Sequence, residues 1–116
     1  MIKGKENIRP WGRYDILGVD VNYKVKEIKV NPGQRLSYQY HNSRDEYWVI
    51  VKGTAEVTID SKVHYLKSGD MITIKRSQKH RVKNTSSDTL SFIEIQLGEY
   101  FGEDDIIRLE DDYKRL

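Results

Sequence analysis

Residues 33–59 read GQRLSYQYHNSRDEYWVIVKGTAEVTI, and the rhythm of this stretch decides the fold. Leu36, Tyr38 and Tyr40 alternate with Ser37, Gln39 and His41, which predicts a strand over Leu36–His41. The polar turn Asn42-Ser43-Arg44-Asp45 leads into a second strand over Glu46–Val51, closed by Lys52-Gly53. Thr54–Ile59 alternates again, with Ala55, Val57 and Ile59 on one face, and Asp60-Ser61 marks a tight turn.

The same pattern extends outward. Upstream, Tyr23–Val30 reads as a strand ended by Asn31-Pro32-Gly33. Downstream, Val63–Leu66, Met71–Ile74, His80–Val82 and Leu90–Leu97 complete eight strand candidates, spaced roughly ten residues apart and rich in Val, Ile, Tyr and Thr. No long helical period intervenes, so the expectation is an all-β sandwich or barrel rather than an α/β crossover fold. Residues 1–20 read as an N-terminal arm that packs across the domain. In the tail, residues 98–116, the stretch from Gly102 runs from acids to bases, which suits a short helix or an ordered coil.

Composition narrows the class. A chain of 116 residues has room for one domain, residues 1–116. Twenty Lys+Arg against 18 Asp+Glu leave a net charge of +2, too balanced to mark a nucleic-acid surface. The longest apolar run, Tyr47–Val51, is far short of the roughly 20 residues that span a bilayer. With no cysteine there is no disulfide scaffold, thiol catalysis or thiolate metal site. Met1–Lys5 opens into charge, so a cytoplasmic protein is the expectation.

Gln39 and His41 share one face of their strand, Glu46 opens the next, and His80 begins a later one. Each alone reads more simply as a hydrogen-bonded polar residue. Together, an amide, two imidazoles and a carboxylate form an N/O ligand set for a divalent metal. His64, between Val63 and Tyr65 in another hairpin, reads as a surface residue. Tyr38 and Tyr40, opposite the ligand face, read as inter-sheet packing rather than as base-stacking groups.

At this point the sequence resembles the cupins, which implies a double-stranded β-helix, or jelly-roll, barrel. Gly33-x5-Gln39-x-His41-x4-Glu46-x6-Gly53 is similar to their first motif, with Gln39 in place of the usual first histidine. Gly69-x5-Lys75-x-Ser77-x2-His80-x3-Asn84 is similar to the second, with Lys75 and Ser77 in place of the usual proline and glycine. Arg9-Pro10-Trp11-Gly12, Gly33–Ser37, Glu46–Val49, Gly53–Val57 and Gly102–Ile106 resemble, more narrowly, the C-terminal isomerase domain of type II mannose-6-phosphate isomerases. In that family the domain usually follows a mannose-1-phosphate guanylyltransferase domain. Where the family often carries consecutive histidines after the first ligand, this chain has Asn42 and Ser43.

The resemblance implies one divalent metal on Gln39, His41, Glu46 and His80, zinc first, with Mn, Fe, Co or Ni as alternatives. It also implies interconversion of mannose 6-phosphate and fructose 6-phosphate. Arg44 matches a family arginine and is the expected catalytic and substrate-binding residue. Arg35 and Lys75 are further expected substrate contacts, with Arg76, Lys79 and Arg81 adding positive potential. The proton-transfer group stays open, Glu99 and Lys75 being candidates. A non-catalytic cupin that binds a sugar phosphate or nucleotide sugar, or one that partners a guanylyltransferase, is the alternative; an Fe-dependent oxygenase is a more distant one. A homodimer is expected, with the arm Ile8–Leu17 as a candidate contact.

Overall fold

The computed structural model describes residues 7–115; the first six residues of the expected arm and the last residue of the tail lie outside the described residues. Eleven strands run in chain order: β1 (Ile8–Arg9), β2 (Gly12–Val19), β3 (Tyr23–Val30), β4 (Tyr38–Tyr40), β5 (Arg44–Lys52), β6 (Thr54–Ile59), β7 (Lys62–Lys67), β8 (Met71–Ile74), β9 (His80–Asn84), β10 (Leu90–Gly98) and β11 (Ile107–Glu110). They form two sheets, one of six strands ordered β1-β2-β3-β10-β5-β8 and one of five ordered β11-β4-β9-β6-β7, with antiparallel pairing. All eight expected strands are present. Among the described residues no helix is long and apolar enough to cross a membrane.

Strand alternation sends one face of each strand into the space between the sheets. In β6 the inward residues are Ala55, Val57 and Ile59, and in β5 Trp48 and Ile50. Phe92 and Leu90 of β10 stand opposite Ile28 and Val30 of β3. This apolar end is sealed: Val30, Phe92 and Leu90 have no exposed surface. At the other end of the same strands the inward residues turn polar. Lys26 pairs in register with Glu94, and Glu46 with Gln96. The barrel therefore has a dry end and a polar end.

Turn chemistry fixes the registers. Asp60 and Ser61 both adopt positive φ (47° and 70°), the conformation a two-residue hairpin between right-twisted strands requires, and they join β6 to β7 as expected. Gly53 takes the left-handed conformation (φ 89°) that side chains disfavour, and a Cβ there would press to 3.1 Å from Leu90 Cα.

Three expectations need correction. The tail holds only one short helical turn, 3₁₀ at Glu103–Asp105, and continues as an unexpected strand, β11, which pairs with β4 and covers its otherwise open edge. The expected strand Leu36–His41 is regular only over Tyr38–Tyr40. Tyr38 is not inter-sheet packing: it lines a groove on the outer face of its sheet, with the Arg81 guanidinium 5.9 Å from its ring. The polar face of that strand is the inner one. The arm does pack across the domain, as β1 and β2 on the edge of the six-stranded sheet, with Trp11 buried.

Asn84, the last residue of the second motif, ties the dry end together. Its side-chain amide donates to the carbonyls of Val30 and Asp88, both at 2.8 Å, and its oxygen accepts from Ser86 N and Oγ. Replacing it by alanine strands buried carbonyls without donors. The Asn84→Ala variant is expected to lose roughly 2–4 kcal/mol of stability, measurable as a lowered midpoint in urea unfolding with an unchanged slope.

Candidate metal centre

Glu46 lies on the inward face of β5 with almost no exposed surface, and both its oxygens are engaged. Oε1 accepts from Trp48 Nε1 at 3.0 Å. Oε2 accepts from Arg44 Nε at 2.9 Å and lies 3.2 Å from His41 Nε2. His41, just beyond β4, and His80, the first residue of β9, meet edge-on with ring centroids 4.7 Å apart. One ligand atom from each of His41, Glu46 and His80 lies within 4.8 Å of the others. Chain segments far apart in sequence thus converge on a single point, as the ligand reading requires.

The donor set fits a metal on an observation of its own. His80 Nδ1 lies 2.9 Å from the Gln78 carbonyl and donates to it, which directs the Nε2 lone pair inward. That Nε2 is buried and has no hydrogen-bond partner. A buried nitrogen lone pair facing a second imidazole and a carboxylate is the arrangement a divalent ion satisfies. Gln39 lines the same cavity and stands opposite His80 in the β4–β9 register, so its amide is available as the fourth donor.

Arg44 joins this cluster rather than the turn it was expected to occupy. It is the first residue of β5, buried, with Nη1 lacking a partner. Arg35 does not reach the cavity. It makes a two-pronged ion pair with Asp112, at 2.7 and 2.8 Å, on the outer face of the five-stranded sheet. Lys75 is also outside: its ammonium rests 5.7 Å from the Tyr47 ring, and Tyr47 faces away from Glu46 by strand alternation. Arg76 pairs with Asp45, Arg81 with Glu110, and Glu99 and His64 are exposed. The substrate roles expected for Arg35 and Lys75, and the proton-transfer role for Lys75 or Glu99, are therefore not supported by position.

Gln39, His41, Arg44 and Glu46 line the cavity as expected, but other lining groups carry no signal that the sequence reading used. Glu94 of β10 is buried beside Glu46, and its Oε2 accepts from Gln96 Nε2 at 2.6 Å. The signal was available: Glu94 and Gln96 fall in phase with buried Phe92, not with the outward residues of their strand. Lys26 is likewise in phase with Ile28 and Val30. Arg9, Arg108 and Arg115 come from the chain ends, where no sequence pattern linked them to the ligands.

The two departures in the second motif are accommodated locally. Ser77 takes the left-handed conformation (φ 67°) that the family glycine would adopt freely. Its N–H donates to the His41 carbonyl at 2.7 Å and its hydroxyl to Asn42 Oδ1 at 2.8 Å. Asn42, standing where the family often has histidine, thus braces the loop that leads to His80.

Burial shifts the protonation of this cluster. Desolvation, then the charge of Arg44, lowers the His41 pKa to about 3, which keeps the ring neutral and able to bind metal. Burial would raise Glu46, but the Arg44 guanidinium and His80 hold it below the usual carboxylate range. Burial, and then the neighbouring Glu46 charge, push Glu94 up to about 7.

A two-sheet barrel closed over a buried histidine–glutamate cluster defines the class by its fold, the cupin-type double-stranded β-helix. A Klebsiella pneumoniae protein with a double-stranded β-helix domain superposes with a TM-score of 0.76, over 96% of this chain and 97% of its own, at 21% identity. An oxalate decarboxylase from Lactobacillus farciminis superposes with a TM-score of 0.76, over 87% of this chain and 32% of its own, at 19% identity. Within that class, the chain belongs to the family described as mannose-6-phosphate isomerase C-terminal, matched over residues 2–111. It is 46% identical to the alginate biosynthesis protein AlgA of Pseudomonas aeruginosa over 110 residues, 95% of this chain. It is 43% identical to the mannose-1-phosphate guanylyltransferase ManC of Salmonella typhimurium over 112 residues, 97% of this chain. The chain spans 23% of the length of each of these relatives.

The pKa shifts set opposite slopes in metal-free protein. His41 falls from 6.5 to about 3 on folding, so its contribution to stability is intact above pH 6.5 and is lost as pH falls toward 3. Glu94 rises from 4.5 to about 7, so its contribution is intact below pH 4.5 and is lost as pH rises through 7. Thermal melts of chelator-treated protein across pH 4–8 are expected to show Glu94→Gln removing the alkaline decline attributable to this carboxyl. The His41 ring proton shifts are expected to stay flat over the same range by NMR.

Proposed function

We propose that this domain is a metal-dependent phosphosugar isomerase that interconverts mannose 6-phosphate and fructose 6-phosphate in the cytoplasm. The observation that carries the reading is the convergence of His41, Glu46 and His80 on one point, beside a cavity that His41, Glu46 and Arg44 line, in a chain of this family. Gln39, His41, Glu46 and His80 would hold the ion, a set that zinc and other divalent metals accept, with zinc placed first by the family resemblance. When bound, the ion supplies Lewis-acid stabilisation of the negative charge that collects on the sugar O1 and O2.

The residues of the chain do the rest. Arg44 uses Nε to hold Glu46 in place, and its unpartnered Nη1 is free to orient a substrate oxygen. Glu94 lines the cavity and is not a proposed ligand, so it is the carboxyl placed to carry the proton between C1 and C2. Trp11, Ile28 and Leu36 give the cavity apolar wall that limits water around a reactive enediol.

Purified protein is expected to convert mannose 6-phosphate in a coupled assay, to stop when treated with chelator, and to recover with added divalent metal. His80→Ala is expected to abolish both bound metal and turnover. Glu94→Gln is expected to retain metal and lose roughly 10²–10⁴-fold in kcat. Metal-loaded protein without turnover, yet stabilised by sugar phosphate in thermal melts, would favour the binding-only alternative.

A homodimer is proposed as well. β2 is paired by β1 only at Gly12 and Arg13, which leaves Leu17 (48% exposed) and Val19 (63%) on an open apolar edge. Light scattering at micromolar concentration is expected to give the mass of two chains, and a monomer mass would overturn this.

A further inference from the structure

Among the described residues, the cavity at the polar end is lined by Arg9, Lys26, Arg44, Arg108 and Arg115 and by the carboxylates Glu46, Glu94 and Glu103. Lys26 lies 3.6 Å from Glu103 and 4.2 Å from the Tyr14 ring centroid. Arg115 is held in a two-pronged pair by Asp111, and Arg44 by Glu46. Arg9 donates to Tyr14 Oη and stacks 4.9 Å from its ring. Arg108 differs from all of these. It has no ion-pair partner among the described residues, and its Nε is buried without a hydrogen bond. Burial lowers its pKa first, and the like charges of Arg115 and Arg9 lower it further, with Asp111 and Glu103 offsetting only part.

The sheet register places this guanidinium relative to the ligands. Arg108 of β11 stands opposite Gln39 of β4, and Gln39 stands opposite His80 of β9. Residues opposite one another in adjacent strands project to the same face. Arg108, Gln39 and His80 thus form a row across the inner face, and the ends of that row are separated by two strand spacings, roughly 10 Å. That spacing suits a six-carbon sugar phosphate whose reacting end lies at the histidines and whose phosphate lies at the arginine.

We propose that Arg108, backed by Arg115 and Arg9, is the anion subsite for the phosphomonoester dianion of the substrate. The proposal rests on the reading of this cavity as a phosphosugar site. A dianion supplies the two acceptor oxygens that a planar guanidinium fork engages in parallel, and it relieves repulsion among three arginines. The subsite is built entirely from the chain ends, so β1, β11 and the tail are part of the binding apparatus as well as of the sheets.

The test uses the full chain. In wild-type protein, NMR of the arginine Nε–H groups is followed during titration with inorganic phosphate, mannose 6-phosphate and mannose. The Arg108 signal is expected to move with the first two and not with the third. Calorimetry is expected to show Arg108→Gln weakening mannose 6-phosphate binding roughly 10- to 100-fold, with metal content unchanged and Arg108→Lys recovering part of the loss. An unmoved Arg108 signal, or unchanged affinity in folded Arg108→Gln protein, overturns the subsite. Turnover with an unaltered KM in Arg108→Gln removes the subsite and leaves the isomerase reading standing. Arg108-dependent phosphate binding without turnover does the reverse. If Arg108→Gln does not fold, the wild-type titration alone decides.

Discussion

A single buried carboxylate organises the polar half of this barrel. Taking Glu46 out of water costs several kcal/mol unless its oxygens find partners, and here Arg44, His41 and Trp48 surround them. Arg44 and Trp48 belong to β5, and His41 follows β4 of the facing sheet. Arg44 and Trp48 flank Glu46 at i−2 and i+2 on the same face, so strand alternation alone assembles three members of the cluster. Burial, and then the charge on Glu46, raise Glu94 next to it to about 7. Protonation of the cavity follows first from burial and then from the charges of Arg44 and Glu46.

Such a site is tolerated because the other end of the same strands is dry. Phe92, Ile50, Leu90 and Val30 are almost completely buried, and each contributes roughly 1.5–3 kcal/mol. β3, β5 and β10 change character halfway along, from Val30, Ile50 and Leu90 at one end to Lys26, Glu46 and Gln96 at the other. Stability and chemistry are thus separated along the strand axis rather than between sheets. A core substitution at the apolar end weakens the fold without touching the ligands. A substitution at the polar end leaves a charge or lone pair stranded.

Much of this was legible in the sequence, for physical reasons that also explain the gaps. Period-two alternation and turn residues located every strand from Tyr23 to Leu97, because both are local signals. The convergence of His41, Glu46 and His80 was legible through spacing and family resemblance. Of the cations beside the ligands in sequence, Arg44 reaches the cavity, whereas Lys75 and Arg35 lie on outward faces, held by Tyr47 and Asp112. β11 was missed because its burial is slight and its role is to cover an edge, a need set by β4 and not by β11 itself. Tyr38 and Tyr40 were assigned inward on hydrophobicity, yet a polar cavity inverts that rule. Where the interior is a binding site, the polar face of a strand is the buried one.

The same inversion accounts for the family likeness at both ends of the chain. Arg9-Pro10-Trp11-Gly12 would be an unremarkable edge segment if β1 and β2 merely extended a sheet. In the folded chain Trp11 forms cavity wall, and its carbonyl accepts from Asn31 N at 2.9 Å, which ties the arm to the turn before β4. Gly12 must be glycine, since a Cβ there would lie 2.0 Å from the Lys29 carbonyl oxygen. At the other end, Asp105 accepts the backbone N–H groups of Asn42 and Ser43, in the turn between His41 and Arg44. Both termini therefore fasten onto the segments that carry the ligands. A barrel lacking them would keep its dry core and still lose the walls, the brace and most of the positive charge of its cavity.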